Sequence, residues 1–448
     1  VAVGQRGRIA RLMQRARHAA SMPTLRNNAM LFGATAIVGV ANYALNVTAV
    51  RTFPLGRYSE FGVVLNLLTL GLPVAGALSN VVTQRASYNR VRGDRDETFA
   101  VQRAFMRYFT ALFAVGMLVL VLVREPLREF LRLTESGPIF LVALTLYWLF
   151  LQQLLLATIQ EAGDYRRIAG MLALEGVFRG VVGVGVMVAG LGANVTLAVY
   201  MLSAALAAAL LPRPVRFWQG VRVPFAAMRP LLRDMGPQMV VSGAFSIIAA
   251  LDVLLCRRYL DPAVADRYVA LAGLAKFFLA LTSSVTAIAF VDVVKAAHRG
   301  ETGGRPFALA MGLIAALAGP FILVCAVFGP LITATTLGEP LRESGQYLWG
   351  TAVTAFALAL INLAMAYFNA RQWFGFLPFY VLGGAGIVAA LSLAGGQLPA
   401  YTGIYAAGAI LLALLLLVPV TLGVTGRVRL GRNAPPPVRD AAEPTAVG

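Results

Sequence analysis

The sequence predicts an all-α polytopic membrane protein, with about twelve transmembrane helices in two six-helix lobes, a 6+6 repeat, around a central cavity. Composition, the length of the apolar runs, and the placement of the basic residues carry that reading. Of 448 residues, 59% are hydrophobic and only 13% charged, and mean hydropathy is +0.75. A soluble globular chain carries about 25% charged residues, so this one has too few to cover a wetted surface of its size. Apolar runs occupy 27–50, 61–82, 105–123, 139–159, 168–189, 195–211, 239–255, 268–291, 308–328, 347–368, 374–394 and 402–424. A helix needs about 20 such residues to cross the hydrocarbon. The runs are roughly twice as long as a barrel strand and show no apolar/polar alternation. Their Gly and Ala content suits helices that approach closely.

The net charge of +18 comes almost wholly from arginine, Lys276 and Lys295 being the only lysines. Most basic residues lie in the gaps between runs, which argues against nucleic acid as a partner. Counted with the N-terminus inside, the inner gaps and tails hold 26 of them and the outer gaps 9, an asymmetry that places both termini in the cytoplasm. The expected organisation is then a basic cytoplasmic or interfacial segment at 1–26, an N-lobe at 27–211, a cytoplasmic linker at 212–238, a C-lobe at 239–424 and a disordered cytoplasmic tail at 425–448. Residues 5–20 (QRGRIARLMQRARHAA) set an arginine-rich face opposite Ile9, Leu12 and Met13, as an interfacial helix on an anionic leaflet does. Their pattern lacks the small-residue cleavage site of a signal peptide.

Two halves of six spans invite a test for duplication. At an offset of 207 residues, 51–61 (RTFPLGRYSEF) aligns with 258–268 (RYLDPAVADRY), each an outer turn opening on arginine and closing on an aromatic. A span of near-equal length follows each, then a basic loop with a Gly-acid step at Gly93 and at Gly300. The exits of the fourth spans, 160–166 and 369–374, also correspond. Such parallel repeats build two lobes with a cavity between them.

Three stretches carry a likeness to a known family. They are 27–62 running on to the basic loop 84–94, then 252–268, and 369–373 (NARQW). There the chain resembles the polysaccharide-transporter branch of the multidrug/oligosaccharidyl-lipid/polysaccharide flippase superfamily, which includes the Wzx-type O-antigen flippases. It departs from that pattern at Asp266-Arg267-Tyr268, where a glycine before the aromatic is usual. The resemblance implies a multi-pass protein of the bacterial cytoplasmic (inner) membrane. It implies a substrate that is an undecaprenyl-diphosphate-linked oligosaccharide, moved from the inner to the outer leaflet for lipopolysaccharide or exopolysaccharide biosynthesis. Membrane lipids and the pathway's polymerase and glycosyltransferases would be the partners.

An ionisable side chain deep in a bilayer is costly and therefore a functional candidate. Arg179 lies near the middle of the fifth span, about 16 Å deep, and Lys276 about 12 Å into the eighth. Glu175, four residues before Arg179, either neutralises it within the helix or shares a cavity wall with it. Lys276 either faces an anionic substrate or pairs with Asp252. Asp252 is a candidate for coupling to protons or sodium, with Arg257 or Arg258 as the alternative, structural partner. Asn42 and Asn46 are candidates for sugar hydroxyls, and Asn66, Gln152, Gln153 and Asn362 for the same role or for interhelical hydrogen bonds. Arg107 is expected to reach the inner interface. Pro73, the Gly319-Pro320 step and Pro378 are candidate hinges, and Cys256 and Cys325 packing residues. No catalytic set, nucleotide loop, metal cluster or cofactor motif stands out. The competing classes are a membrane glycosyltransferase, polymerase or ligase, which needs a larger outer loop, and a gradient-driven small-molecule exporter, whose cationic cargo suits a more anionic cavity.

Overall fold

The computed structural model describes residues 23–54, 56–92, 95–162, 164–211, 225–371 and 373–425. The expected interfacial helix at 5–20, the Gly-acid step at 93–94, most of the linker and the tail lie outside them. Among the described residues twelve α-helices follow one another: α1 (Pro23–Thr52), α2 (Arg57–Arg92), α3 (Arg95–Phe130), α4 (Gly137–Ala162), α5 (Tyr165–Val188), α6 (Gly192–Leu210), α7 (Phe225–Tyr259), α8 (Pro262–His298), α9 (Gly304–Thr336), α10 (Leu348–Ala370), α11 (Leu377–Leu391) and α12 (Leu398–Val424). Two 3₁₀ turns, Glu339–Leu341 and Glu343–Tyr347, lead into α10. No strand occurs among the described residues.

Among the described residues, ten of these helices are long and apolar enough to cross a membrane. The twelfth-span count is met by helix number but not by length throughout. α11 has 15 residues, about 22 Å at 1.5 Å per residue, because Phe374 to Phe376 form a turn ahead of it rather than its first turn. Pro378 sits in that first turn, where its fixed φ suits a helix start, so it opens α11 instead of interrupting it. Pro320 lies inside an unbroken α9. Several helices outrun their apolar runs: α2, α3 and α8 have 36, 36 and 37 residues, and α7 begins at Phe225, well inside the expected linker. Hydropathy marks only the part of a helix that meets hydrocarbon, and the polar turns beyond it carry no such mark.

By packing, the chain forms two units. Among the described residues, one comprises those up to Thr52, Val74–Val123 and Gly137–Leu231; the other comprises Phe53–Pro73, Arg124–Ser136 and those from Leu232 to Thr425. In the first unit α1 lies along α5, and α4 and α5 both pack on α6. Three glycines of α5 make the first contact close. A Cβ added at Gly176 would lie 3.0 Å from the Val38 backbone, one at Gly180 2.9 Å from the Ala41 Cβ, and one at Gly183 2.5 Å from Leu45. Small residues at this spacing let two backbones approach, which is what drives helix pairing in lipid. Leu155, Leu156 and Ile159 of α4, Ile168 and Met171 of α5, and Ala207 of α6 close the core at the other end.

In the second unit α10 is the central helix, packed on α8, α9 and α12, while α11 packs on α12. The α10–α12 and α11–α12 pairs reproduce α4–α6 and α5–α6 six helices on, as a duplication requires. α7 is held by tyrosines. Tyr380 of α11 donates to the Ala244 carbonyl, and Tyr405 and Tyr401 of α12 donate to those of Ile248 and Asp252, the last at 2.6 Å. The three carbonyls stand four residues apart, hence on one face of the helix.

The 207-residue offset reappears as direct contact. Ser59 N–H donates to Asp266 Oδ1 at 2.6 Å, and a Cβ at Gly62 would overlap Val269; each pair is separated by 207 positions. The contact is at the crossing of the first turns of α2 and α8. Asp266 also accepts the Gly56 N–H, so its carboxylate satisfies two orphan donors at the N-terminus of α2 from 207 or more residues away. Gly56 takes φ +84° to make the turn, a conformation that favours glycine. Arg257 completes the clasp, donating to the Gly56 carbonyl at 2.8 Å and pairing with Glu60 at 3.2 Å. Thr134 from the α3–α4 connection donates to the same Glu60 oxygen.

The α1–α5 contact is directly testable. Gly180→Leu should destabilise the purified protein by about 1–3 kcal/mol through overpacking, read as a lower thermal midpoint in detergent. Gly185→Leu, on the same helix with open space around its Cβ position, should leave the midpoint near that of the parent. Equal midpoints for both variants would contradict the close approach.

Candidate functional site

The residues singled out in the sequence fall into two groups, one in each unit. In the first unit Glu175 is buried on α5. Its Oε2 accepts from Gln152 of α4 at 2.7 Å and its Oε1 lies 3.5 Å from Arg179 Nη1. The Arg179 guanidinium stacks 5.0 Å above the Tyr200 ring of α6, a favourable place for a desolvated cation. Its side chain is 12% exposed. The i,i+4 pairing expected of these two residues is therefore present, and α4 and α6 add partners that spacing alone could not supply. On α1 the Asn46 amide donates to the Asn42 carbonyl at 2.9 Å. The Asn42 Oδ1 is buried with no hydrogen-bond partner.

The second unit holds the more open group. Lys276 of α8 pairs with Asp252 of α7 at 2.8 Å, the alternative that the sequence left beside a substrate role. Asp252 is 2% exposed and Lys276 23%. The Tyr268 hydroxyl donates to the other Asp252 oxygen at 3.0 Å, and Tyr268 meets Tyr401 edge-on at 4.8 Å. Neither Arg257 nor Arg258 serves Asp252 as its partner. Arg257 is turned instead to Gly56 and Glu60, because the first turn of α2 offers a carbonyl and a carboxylate together, whereas Asp252 is already met by an ammonium and a phenol.

The free side of Lys276 faces a cavity of about 370 Å³. Asn66 and Thr69 of α2 and Ser246 and Phe245 of α7 share its wall. Asn66 Oδ1 lies 3.5 Å from the Lys276 ammonium. Behind the ion pair, Thr351 and Thr354 of α10 close a small pocket around Asp252 and Tyr268. An ammonium held by one carboxylate and one amide keeps one of its three donors free for an oxyanion. Tyr268 and the two threonines were not singled out in the sequence, since tyrosine and threonine in apolar runs carry no signal of their own. Asn66 and Gln152 did carry one, as uncharged polar groups within spans. Cys256 and Cys325 are both buried and free. Arg107 is half-buried on α3.

Removing one partner of a buried pair strands the other charge, at a cost of about 3–5 kcal/mol. Lys276→Ala should therefore lower protein abundance in the membrane, and the Lys276→Ala/Asp252→Ala double variant should recover much of it. Abundance by immunoblot decides this. Additive losses would show that the two residues are not coupled.

No protein-family model and no curated protein matches this sequence. Solved structures do match its fold. The lipid II flippase MurJ in an inward closed conformation aligns with a TM-score of 0.70 at 10% identity, over 88% of this chain and 87% of its own. An inward-facing multidrug resistance MATE family transporter of the MOP superfamily aligns at 0.64 and 12% identity, over 87% of this chain and 95% of its own. The Vibrio cholerae MATE transporter VcmN in its bent form aligns at 0.56 and 15% identity, over 92% of this chain and the whole of its own. The chain is thus a multi-pass helical membrane protein with the fold shared by these transporters.

Proposed function

We propose that the protein is a flippase, not an enzyme, that moves a lipid-diphosphate-linked oligosaccharide from the inner to the outer leaflet by alternating access, for surface polysaccharide biosynthesis. The observation that carries the proposal is Lys276, a partly exposed cation within a membrane span, at the wall of a mostly apolar cavity in which Asn66, Thr69 and Ser246 are the other polar residues. The shared fold with a lipid II flippase supports it, as does the resemblance of 27–62, 252–268 and 369–373 to the polysaccharide-transporter branch. In this reading a diphosphate competes with Asp252 for the ammonium of Lys276. Asn66, Thr69 and Ser246 offer the neutral hydrogen bonds a sugar or phosphate oxygen needs. When Lys276 turns to substrate, Asp252 is left as a buried carboxylate that takes up a proton or a sodium ion, which would tie the transport step to a gradient. Asn42, with its unmet acceptor, is assigned to sugar hydroxyls together with Asn46. Arg179 and Glu175 form the corresponding charged pair of the other unit.

The expected outcome in proteoliposomes is that wild-type protein translocates a fluorescent undecaprenyl-diphosphate oligosaccharide. Lys276→Arg should keep much of that rate, and Lys276→Ala/Asp252→Ala should lose it at equal protein density. Transport by the double variant at the wild-type rate would remove the pair from the mechanism. The MATE neighbours support a second reading, export of a small molecule driven by a gradient. It requires transport of an organic cation and none of the lipid-linked substrate, in the same vesicles.

Both termini are assigned to the cytoplasm from the distribution of basic residues. A reporter active only outside the cytoplasmic membrane should be active when fused after Val188 and silent when fused at Gly300. The reverse pattern would invert the orientation, and with it the direction of transport.

A further inference from the structure

A second cavity, of about 510 Å³, lies between the last turns of α8 and the first turns of α9, further along the same helix as Lys276 and sharing no residue with its cavity. One end is charged and the other apolar. Lys295 and Arg299 stand at the end of α8, and Arg305 at the start of α9. The apolar runs of the two helices end at 291 and begin again at 308, so these cations stand just beyond the hydrocarbon, where lipid headgroups are expected. Ile288 on α8 and Leu309 and Leu313 on α9 line the other end. Ile288 is seven residues before Lys295 and Leu313 eight after Arg305, which carries the apolar wall roughly 10–12 Å along the helices from the cations.

The turn between the helices is braced. Tyr367 donates to the Thr302 carbonyl at 2.9 Å, and Arg371 to the Glu301 carbonyl at 3.0 Å. Gly300 and Gly303 take φ of +76° and +73°. A Cβ at Gly304 would overlap Val424 of α12, so the start of α9 is seated against a neighbouring helix. The cations are therefore presented from a fixed frame. Asp292 lies 3.8 Å from Lys295, and Glu301 2.9 Å from Arg299. Those two pairs are exposed, and Arg305 has no acidic partner among the described residues, which leaves the charged end net positive. The helix ends contribute little, since α8 closes where α9 opens and their dipoles oppose.

We propose that this groove binds an anionic phospholipid of the surrounding bilayer. The phosphate sits among Lys295, Arg299 and Arg305, and an acyl chain lies along Ile288, Leu309 and Leu313. Basic pockets between membrane helices at headgroup level have this affinity. The apolar wall excludes a free phosphate as the intended ligand. The site would fasten the α8–α9 turn to one leaflet and make the second unit sensitive to the anionic lipid content of the membrane.

The test is native mass spectrometry of the purified full chain, titrated separately with phosphatidylglycerol, phosphatidylcholine and inorganic phosphate. Phosphatidylglycerol should bind more tightly than phosphatidylcholine. Arg299→Gln/Arg305→Gln should weaken it roughly thirtyfold, at about one surface cation's attraction per residue removed. Arg299→Lys/Arg305→Lys should retain binding, which separates lost charge from lost fold. Leu309→Ser should weaken phosphatidylglycerol while leaving the charges intact. Arg124→Gln/Arg128→Gln, an equal change of charge elsewhere on the surface, should have no effect. Equal binding of the two lipids, undiminished binding by Arg299→Gln/Arg305→Gln, an equal loss in the Arg124→Gln/Arg128→Gln control, or displacement of the lipid by inorganic phosphate would overturn the proposal.

Discussion

A carboxylate taken from water into a membrane span loses its hydration, and the loss is tolerable only where donors replace it. The packing around α7 and α8 is arranged to meet that requirement at Asp252. Its side chain receives the Lys276 ammonium and the Tyr268 phenol, and its carbonyl receives Tyr401. Tyr401 belongs to α12 and Tyr268 and Lys276 to α8, so the carboxylate ties α7 to α8 while the backbone carbonyl of the same residue ties α7 to α12. Glu175 plays the same part in the first unit, drawing Gln152 from α4 and, through Arg179, Tyr200 from α6. In each case the charge held in the interior is also what specifies how the surrounding helices meet. Lipid offers no hydrophobic force between helices, which is why polar contacts and close backbone approach carry the specificity.

The duplicated pattern has a physical consequence at the crossing of α2 and α8. Equivalent positions of the repeats touch there, yet the residues differ: serine opposes aspartate at 59 and 266, and glycine opposes valine at 62 and 269. Identical side chains could not be complementary at such a point, since two aspartates would repel and two valines would collide. Divergence of the repeats is what lets Asp266 cap α2 and lets Val269 fill the space left by Gly62. The departure from the family pattern at Asp266-Arg267-Tyr268 lies in the same place. It thus has a structural role in holding the α1–α2 turn, together with Arg257.

The transport reading gains from how Lys276 is held. A lysine with a single carboxylate partner, an amide at 3.5 Å and an open side has a donor to spare, whereas Arg179 is engaged by a carboxylate and an aromatic face at once. The two cations were equivalent on depth alone. Their surroundings separate them into one suited to exchanging partners and one suited to staying put.

The sequence by itself determined the class of the protein, because hydropathy and run length are properties of the chain that the bilayer reads directly. Twelve helices, the absence of strands among the described residues, the six-helix repeat and its 207-residue offset all follow from it. The i,i+4 pairing of Glu175 and Arg179 follows too, since helix geometry alone brings those positions together. Only the tertiary structure decided what depends on contacts between distant residues. That Asp252 takes Lys276 and Tyr268, that Arg257 turns to Glu60, that Asp266 caps a helix from the other repeat, and that α11 is too short for a full span are all set by helix rotation and register. Those are fixed by the sum of many weak contacts, and a linear pattern of apolar and charged residues does not encode which of several possible partners a buried charge will meet.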